Sequence, residues 1–127
     1  MVSPPVAGLI QIVLTHRGEV ARIYFAPDAN CLRSVANRCF RSTSYLNLIV
    51  IDKQPRLQWL TMDEAIEHCA RGASVWEWAG NDDPGHEPDI VLACAGDIVT
   101  MEVVAAAQIL RERLPQFVPG SSTWSIR

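Results

Sequence analysis

The pattern that most constrains the fold of this chain is a strand, an amphipathic helix and a second strand within about thirty residues. Residues 20–25 are rich in β-branched and aromatic side chains, which predicts a strand. Residues 45–51 form a nearly continuous apolar run, typical of a parallel strand that is covered on both faces. We therefore predict a βαβ unit with a right-handed crossover.

The helix between these two strands begins at Pro27 and Asp28. Its apolar residues recur at helical spacing, so they form one stripe along the helix. We expect this stripe to be buried: Leu32, Val35, Ala36, Cys39 and Phe40.

The first half of the chain contributes one more helix on each side of this unit. Residues 8–17 predict a short helix that Gly18 ends. Thr61 and Glu64 have the spacing of a capping box, which opens a helix that Gly72 ends. The expected buried face of that helix is Met62, Ala65, Ile66 and Cys69.

The second half continues the alternation, so the fold class is α/β. Residues 73–78 and 89–95 predict two strands, separated by a turn-rich loop at 81–88. Thr100 is the expected cap of a last helix, whose stripe is Val103, Ala107, Leu110 and Leu114. After Pro115 the sequence has no usable period, and we expect a tail without an element.

Composition excludes several classes of protein. A hydrophobic fraction of 49% with 20% charged residues is typical of a folding chain rather than a disordered one. The net charge of −3 leaves no basic field for nucleic acid, so no nucleic-acid partner is expected. No apolar run approaches the ~20 residues of a membrane span, and residues 6–14 do not resemble a signal peptide. We expect a soluble, cytoplasmic protein without a membrane partner.

The cysteines and histidines do not predict a metal site or a disulfide. Cys31 and Cys39 lie in one predicted helix at a distance of ~12 Å, too far for a disulfide, which needs ~7 Å or less. Reduced cysteines that pack in the core are the expected state. His68 is expected to be a partly exposed helical histidine. The other residues of these types lie on separate segments: Cys69, Cys94, His16 and His86.

Three loops lie where ligands bind on open α/β sheets, at the carboxyl ends of strands: residues 27–30, 52–54 and 96–97. Lys53 is the strongest candidate, since a lysine after a buried parallel strand can hold a phosphorylated substrate. The alternative for Lys53 is a solvated turn residue. Asp28 and Asn30 are interpreted as helix caps rather than ligands. The 96–97 turn lacks the further glycines of a dinucleotide fingerprint.

Trp76 and Trp78 are spaced by two, so on a strand they point to the same face. We expect core or interface residues there rather than a stacking platform. No Ser/His/Asp or Cys/His set can be argued from spacing.

Several strings, taken together and in this order, resemble the xylulose 5-phosphate/fructose 6-phosphate phosphoketolases. The resemblance covers residues 8–114. The strings are Pro-Asp-Ala-Asn at 27–30, Lys-Gln-Pro at 53–55, Trp-Leu-Thr-Met-Asp-Glu-Ala-Ile-Glu-His-Cys at 59–69, Trp-Glu-Trp-Ala at 76–79, Glu-Pro-Asp at 87–89 and Ala-Cys-Ala-Gly-Asp at 93–97.

The resemblance implies an aldehyde-lyase of carbohydrate metabolism, a homodimer that uses thiamine diphosphate and magnesium. Such enzymes cleave a ketose phosphate with inorganic phosphate to acetyl phosphate and a shorter aldose phosphate. It implies partial transketolase-like open sheets: 1–55 as the end of the pyrimidine-binding-type middle domain, 56–115 as the start of a Rossmann-like C-terminal domain, and 116–127 as a divergent tail. It also places the family's contact to the substrate phosphate on Lys53.

The chain departs from the family in ways that affect its expected function. Asp52 stands where the family has a turn glycine, and Pro4 stands at the position of a substrate-contacting histidine. The family's cofactor and magnesium motifs have no counterpart here, so we expect no cofactor site and a fragment that is inactive alone. The alternatives are a truncated, non-catalytic interaction piece and a small α/β phosphate-binding domain.

Overall fold

The computed structural model describes residues 6–15, 20–80, 89–115 and 119–124, with the backbone alone for 6, 7 and 119–124. The elements confirm the α/β class. The helices are α1 (Val6–Leu14), α2 (Ala29–Arg41), α3 (Met62–Arg71) and α4 (Asp97–Arg113). The strands are β1 (Ala21–Phe25), β2 (Leu46–Val50), β3 (Ala73–Val75), β4 (Ile90–Cys94) and β5 (Pro119–Trp124), with a 3₁₀ turn at Glu77–Ala79.

The predicted βαβ unit is present. β1 and β2 pair in parallel, with Ile23 opposite Leu48, and α2 connects them. The prediction that the second strand is covered on both faces is wrong, because Leu46 is 52% exposed. Within the described part of the chain β1 and β2 pair only with each other, so both outer edges of this two-stranded sheet lack a neighbouring strand.

α2 begins as predicted, with Asp28 as its N-cap. Its buried residues are Cys31 and Val35, and Phe40 is 89% exposed, which contradicts the expected stripe. A helix turns about 100° per residue, so Phe40, nine residues after Cys31, lies on the opposite side. The apolar period was correct, but the stripe is centred one residue earlier than the spacing indicated.

α3 has both predicted ends. Thr61 and Glu64 form the reciprocal capping box, and Gly72 closes the helix in the left-handed region at φ 85°. The predicted buried face is partly wrong, since Ile66 is 51% exposed and His68 only 2%. His68 is buried because β3 and the residue after it cover that side of the helix: its ring lies against Ser74 and Trp76.

A second sheet has the order β3-β5-β4. β5 runs antiparallel to β3 and parallel to β4. The expectation of a tail without an element after Pro115 is therefore wrong. Backbone pairing on both edges can hold a central strand whose sequence has no apolar period.

Two boundaries near this sheet also differ from the prediction. The strand expected at 73–78 ends at Val75, so Trp76 and Trp78 do not share a strand face. α4 begins at Asp97 after Gly96, not at Thr100. Thr100 is buried inside the first turn, where its hydroxyl donates to the carbonyl of Gly96 at 2.6 Å. The turn expected at Gly18 and the loop at 81–88 lie outside the described residues.

One apolar core cluster joins the two halves of the chain. Its buried members are Ala26, Cys31, Leu60, Ala65, Trp76 and Ala79. α2 and α3 therefore share one core, so the βαβ unit and α3 form one packed body. Within the described ranges no helix is long and apolar enough to cross a membrane.

Candidate functional site

The three loops at the carboxyl ends of strands converge on one pocket. The backbone N–H of Asp52, after β2, donates to the Oδ2 atom of Asp97 at the start of α4, at 2.9 Å. The pocket has a volume of about 250 Å³. It is lined by Ala26, Asp28, Ala29, Leu32, Ile51, Asp52, Gln54, Pro55, Arg56 and Asp97.

Asp28 lies at the buried end of this pocket and is 5% exposed. Its Oδ1 atom accepts the N–H of Cys31 at 2.8 Å, which caps α2. Its Oδ2 atom accepts from the side chain of Gln58 at 2.7 Å and from the N–H groups of Trp59 and Leu60 at 3.1 and 2.9 Å. These four donors occupy both oxygens of the carboxylate, and the bond to Cys31 confirms the interpretation of Asp28 as a cap.

Asn30 is not a cap, contrary to the interpretation from the sequence. It lies inside the first turn of α2, and its side-chain amide donates to the carbonyl of Leu60 at 2.8 Å. Asn30 and Asp28 together fix the segment that precedes α3 against the N-terminus of α2.

Asp52 and Arg56 form an ion pair at the mouth of the pocket. Asp52 also accepts the N–H groups of Lys53 and Gln54, at 2.7 and 3.3 Å. The hydrogen bond from Arg56 is the main reason that the pKa of Asp52 is lowered, so this carboxylate is charged at neutral pH. It compensates the charge of the only guanidinium among the described lining residues.

Lys53 is the sole lysine of the chain. Its side chain is exposed, and it is not among the lining residues of the pocket. It forms no salt bridge with any carboxylate in the described part of the chain. The structure therefore puts the predicted phosphate contact beside the pocket, with its ammonium in solvent.

Neither Arg56 nor the contact between Asp52 and Asp97 was predicted from the sequence. The spacing of four between Asp52 and Arg56 was a usable signal, but the contact to Asp97 spans 45 residues and only the tertiary fold creates it. With Asp28, the pocket has three carboxylates against one guanidinium, a balance that disfavours a phosphate inside it.

A second polar and aromatic cluster lies alongside α3. The ring of Trp78 stacks with those of Trp59 and Trp76 at centroid distances of 6.0 and 5.3 Å, and Trp59 and Trp76 are tilted against each other at 6.3 Å. Trp76 is 3% exposed and Trp78 51%, so the first is a core residue. The Nδ1 atom of His68 lies 2.6 Å from the hydroxyl of Ser74, and burial lowers the pKa of His68.

The described residues do not fit a magnesium-bound diphosphate. No three carboxylate, histidine or cysteine side chains among them are grouped closely enough to hold a metal ion. The carboxylates of the 250 Å³ pocket already accept backbone and side-chain donors.

Two family models match this chain. The model of the D-xylulose 5-phosphate/D-fructose 6-phosphate phosphoketolases matches residues 3–42. The model of the C-terminal domain of the same family matches residues 53–118, about half of the chain.

Individual relatives agree with the family models. The chain is 53% identical to a probable phosphoketolase of Streptomyces coelicolor over 109 residues, which are 86% of this chain and 14% of the relative. It is 51% identical to probable phosphoketolase 1 of Rhizobium meliloti over the same shares, and 54% identical to a probable phosphoketolase of Nitrosomonas europaea over 85% of this chain and 14% of that protein. The chain thus spans about one seventh of the length of these relatives, and it belongs to the phosphoketolase family.

Proposed function

We propose that this chain is the junction segment of a phosphoketolase. In that enzyme it links the end of the middle domain (1–55) to the start of the C-terminal domain (56–115), followed by the tail 116–127. The shared core of α2 and α3 supports this role, because it packs the two parts against each other. The two family models, which match residues 3–42 and 53–118, support a division near this point, although the second match begins at residue 53 rather than 56.

The reaction proposed for the intact enzyme is the cleavage of xylulose 5-phosphate or fructose 6-phosphate with inorganic phosphate. Its products are acetyl phosphate and an aldose phosphate. Thiamine diphosphate with magnesium supplies the carbon–carbon bond chemistry when bound, and those sites belong to segments other than the residues described in this chain. The family resemblance implies a homodimer. A cytoplasmic setting without nucleic-acid or membrane partners is proposed from the net charge of −3 and the lack of a long apolar run.

The contribution proposed for this chain is one cationic contact to the substrate phosphate, from Lys53. The position of Lys53 supports this contact, because Lys53 follows β2 at the carboxyl end of a parallel strand. Its side chain is exposed and has no ion-pair partner among the described carboxylates. A charge-assisted hydrogen bond from its ammonium is worth about 1.5–3 kcal/mol. Asp52, charged and adjacent, opposes this contact.

A chimera tests the proposal in a whole enzyme. Residues 8–114 of this chain replace the matching segment of the Streptomyces coelicolor relative, and acetyl phosphate formation is measured against sugar phosphate concentration. We expect an active chimera. Lys53→Ala should raise KM by roughly tenfold to a hundredfold, because uniform binding of the phosphate is lost. Asp52→Gly should lower KM, because it removes the opposing carboxylate.

Arg33→Ala is the matched control, since Arg33 is an exposed cation on α2 away from the pocket. Its KM should equal that of the unmodified chimera. An inactive chimera would contradict the junction role. An unchanged KM in Lys53→Ala would remove the phosphate contact and leave the junction role standing.

The chain alone is proposed to be inactive, so purified chain that forms acetyl phosphate from fructose 6-phosphate would overturn this view.

The exposure of apolar residues on β2 and α2 favours a non-catalytic interaction piece as the second candidate. Calorimetric titration with sugar phosphates distinguishes the junction segment and the interaction piece from a small phosphate-binding domain. Only that domain should show saturable binding that Lys53→Ala abolishes.

A further inference from the structure

Two cysteines that lie far apart in the sequence are in contact between α2 and α3. The Sγ atom of Cys69 donates to the backbone carbonyl of Cys31 at 3.7 Å, across a separation of 38 residues. They belong to one packed cluster, in which Cys31 is fully buried and Cys69 lies at the margin.

Cys69 is reachable from the surface whereas Cys31 is not. Cys69 lines a pocket of about 190 Å³ between α2 and α3, together with Ser34, Arg38 and Ile66 among others. Arg38 and Ile66 are exposed, so the pocket extends to the solvent. Cys31 is not among the lining residues, and its relative exposure is 0%. A small reagent entering this pocket therefore meets the sulfur of Cys69 first.

The surroundings of the two thiols differ, so that Cys69 is the attacking nucleophile and Cys31 is the resolving thiol. The neighbouring thiol of Cys31 is the main cause that lowers the pKa of Cys69, and Ser34 and Arg38 act in the same direction. The thiol of Cys69, burial and the charge of Asp28 raise the pKa of Cys31. Burial and Asp28 oppose the lowering at Cys69. Reaction with an electrophilic sulfur should begin at Cys69, because its sulfur lines the open pocket whereas Cys31 is fully buried, and the lowered pKa favours its reactive thiolate form.

We propose that Cys31 and Cys69 are a redox-active dithiol site, which small disulfides oxidise to an intramolecular disulfide between α2 and α3. The thiolate of Cys69 attacks one sulfur of the small disulfide, forms a mixed disulfide and releases the first small thiolate. The sulfur of Cys31 then attacks the Cys69 sulfur, releases the second small thiolate and passes its proton to it. Two protein thiols are oxidised and one small disulfide is reduced to two thiols.

The disulfide would connect the two segments that the family models match separately. α2 lies within residues 3–42, and α3 lies within residues 53–118. Closing this loop constrains the unfolded chain and raises the thermal midpoint by at least about 5 °C. The site does not depend on the proposed function, because neither cysteine lines the pocket beside Lys53.

Peptide mapping of the oxidised full chain tests the proposal directly. Trypsin places each cysteine in a different peptide: 23–33 for Cys31, 39–41 for Cys39, 57–71 for Cys69 and 72–111 for Cys94. Folded protein is treated with 2-hydroxyethyl disulfide, free thiols are blocked, and the digest is analysed by mass spectrometry. We expect peptides 23–33 and 57–71 linked to each other within a monomer, and their separation after reduction.

Variants make the order of reaction visible. Cys31→Ser should stop at a stable mixed disulfide on Cys69, whereas Cys69→Ser should lose at least about tenfold in the rate of first reaction. Cys39→Ser and Cys94→Ser are controls that should leave the linked pair unchanged. A linkage through 39–41 or 72–111, disulfide-linked dimers, or wild-type protein that retains the mixed disulfide would each overturn the proposal.

Discussion

At the scale of single residues, buried polar groups organise this chain more than its exposed charges do. Asp28 accepts four hydrogen bonds and fixes residues 58–60 against α2. An Ala or Ser at this position would leave several buried N–H groups without an acceptor, a loss of about 1–3 kcal/mol for each unsatisfied group. His68 is the second such residue, buried between α3 and β3 against Ser74.

The pH dependence of stability should contain a contribution from His68. Burial lowers its folded-state pKa below 6.5, and the charge of Asp28 only partly offsets this. Its stabilising contribution is therefore complete above pH 6.5 and is lost as the pH falls toward the folded-state pKa. Chemical denaturation at pH 7.5 and at pH 5.0 should show a larger loss of unfolding free energy in the wild type than in His68→Asn.

His68→Asn is the appropriate comparison because it can still hydrogen-bond Ser74 but does not titrate in this range. Every carboxylate and the other two histidines remain in both proteins, so the difference between their two losses isolates His68. Equal losses in the two proteins would show that His68 titrates normally.

At the scale of elements, local signals explain the helices better than the strands. The ends of α3 follow from a capping box and a left-handed glycine within a dozen residues. β5 has no comparable signal, yet it is the strand to which both β3 and β4 pair. The second sheet thus depends on the least regular part of the sequence.

Removing residues 116–127 should separate β3 from β4, since the described strands of this sheet are joined only through β5. We expect a loss of unfolding free energy on the order of 3 kcal/mol. Amide hydrogen exchange should lose protection at 73–75 and 90–94, while β1 keeps more of its protection.

The matched control removes only residues 125–127, beyond the last paired residue of β5. It should leave the exchange pattern of β3 and β4 intact. Unchanged protection of these strands in the longer deletion would show that they do not need β5.

At the scale of the whole molecule, the chain exposes many large apolar side chains. They occur on several described elements, including Ile12 of α1, Phe40 of α2, Leu46 of β2 and Ile109 of α4. Exposed apolar patches and open sheet edges mark surfaces that pack against further protein. This exposure agrees with a chain that spans only about 14% of the relatives' length.

The isolated chain should therefore self-associate at tens of micromolar, measured by sedimentation velocity. Phe40→Lys combined with Leu46→Lys should shift the distribution toward monomer with a thermal midpoint within a few degrees of wild type, since both side chains are exposed. Asn37→Lys is the control, because it adds a charge at an exposed position of the same helix without removing an apolar group. Wild-type protein that is monomeric at this concentration would contradict the prediction.

More of the fold than of the candidate site could be predicted from the sequence. The βαβ unit, both ends of α3 and the capping role of Asp28 were predicted, because each depends on residues close together in the chain. The exposure of Phe40, the burial of His68 and the start of α4 before Thr100 were not. The exposure of Phe40 and the burial of His68 depend on which neighbour covers the residue, whereas α4 begins where Gly96 is its N-cap. At the site, the sequence identified the loops but not the pairing of Asp52 with Arg56.

The sequence by itself determined the family and, up to Pro115, the class and order of the elements, because period, caps and characteristic strings are local properties of the chain. Only the tertiary structure brought Asp52 to Asp97, Cys31 to Cys69 and β5 between β3 and β4. These contacts join residues dozens of positions apart. Their geometry is set by how helices and strands pack, which no short stretch of sequence encodes.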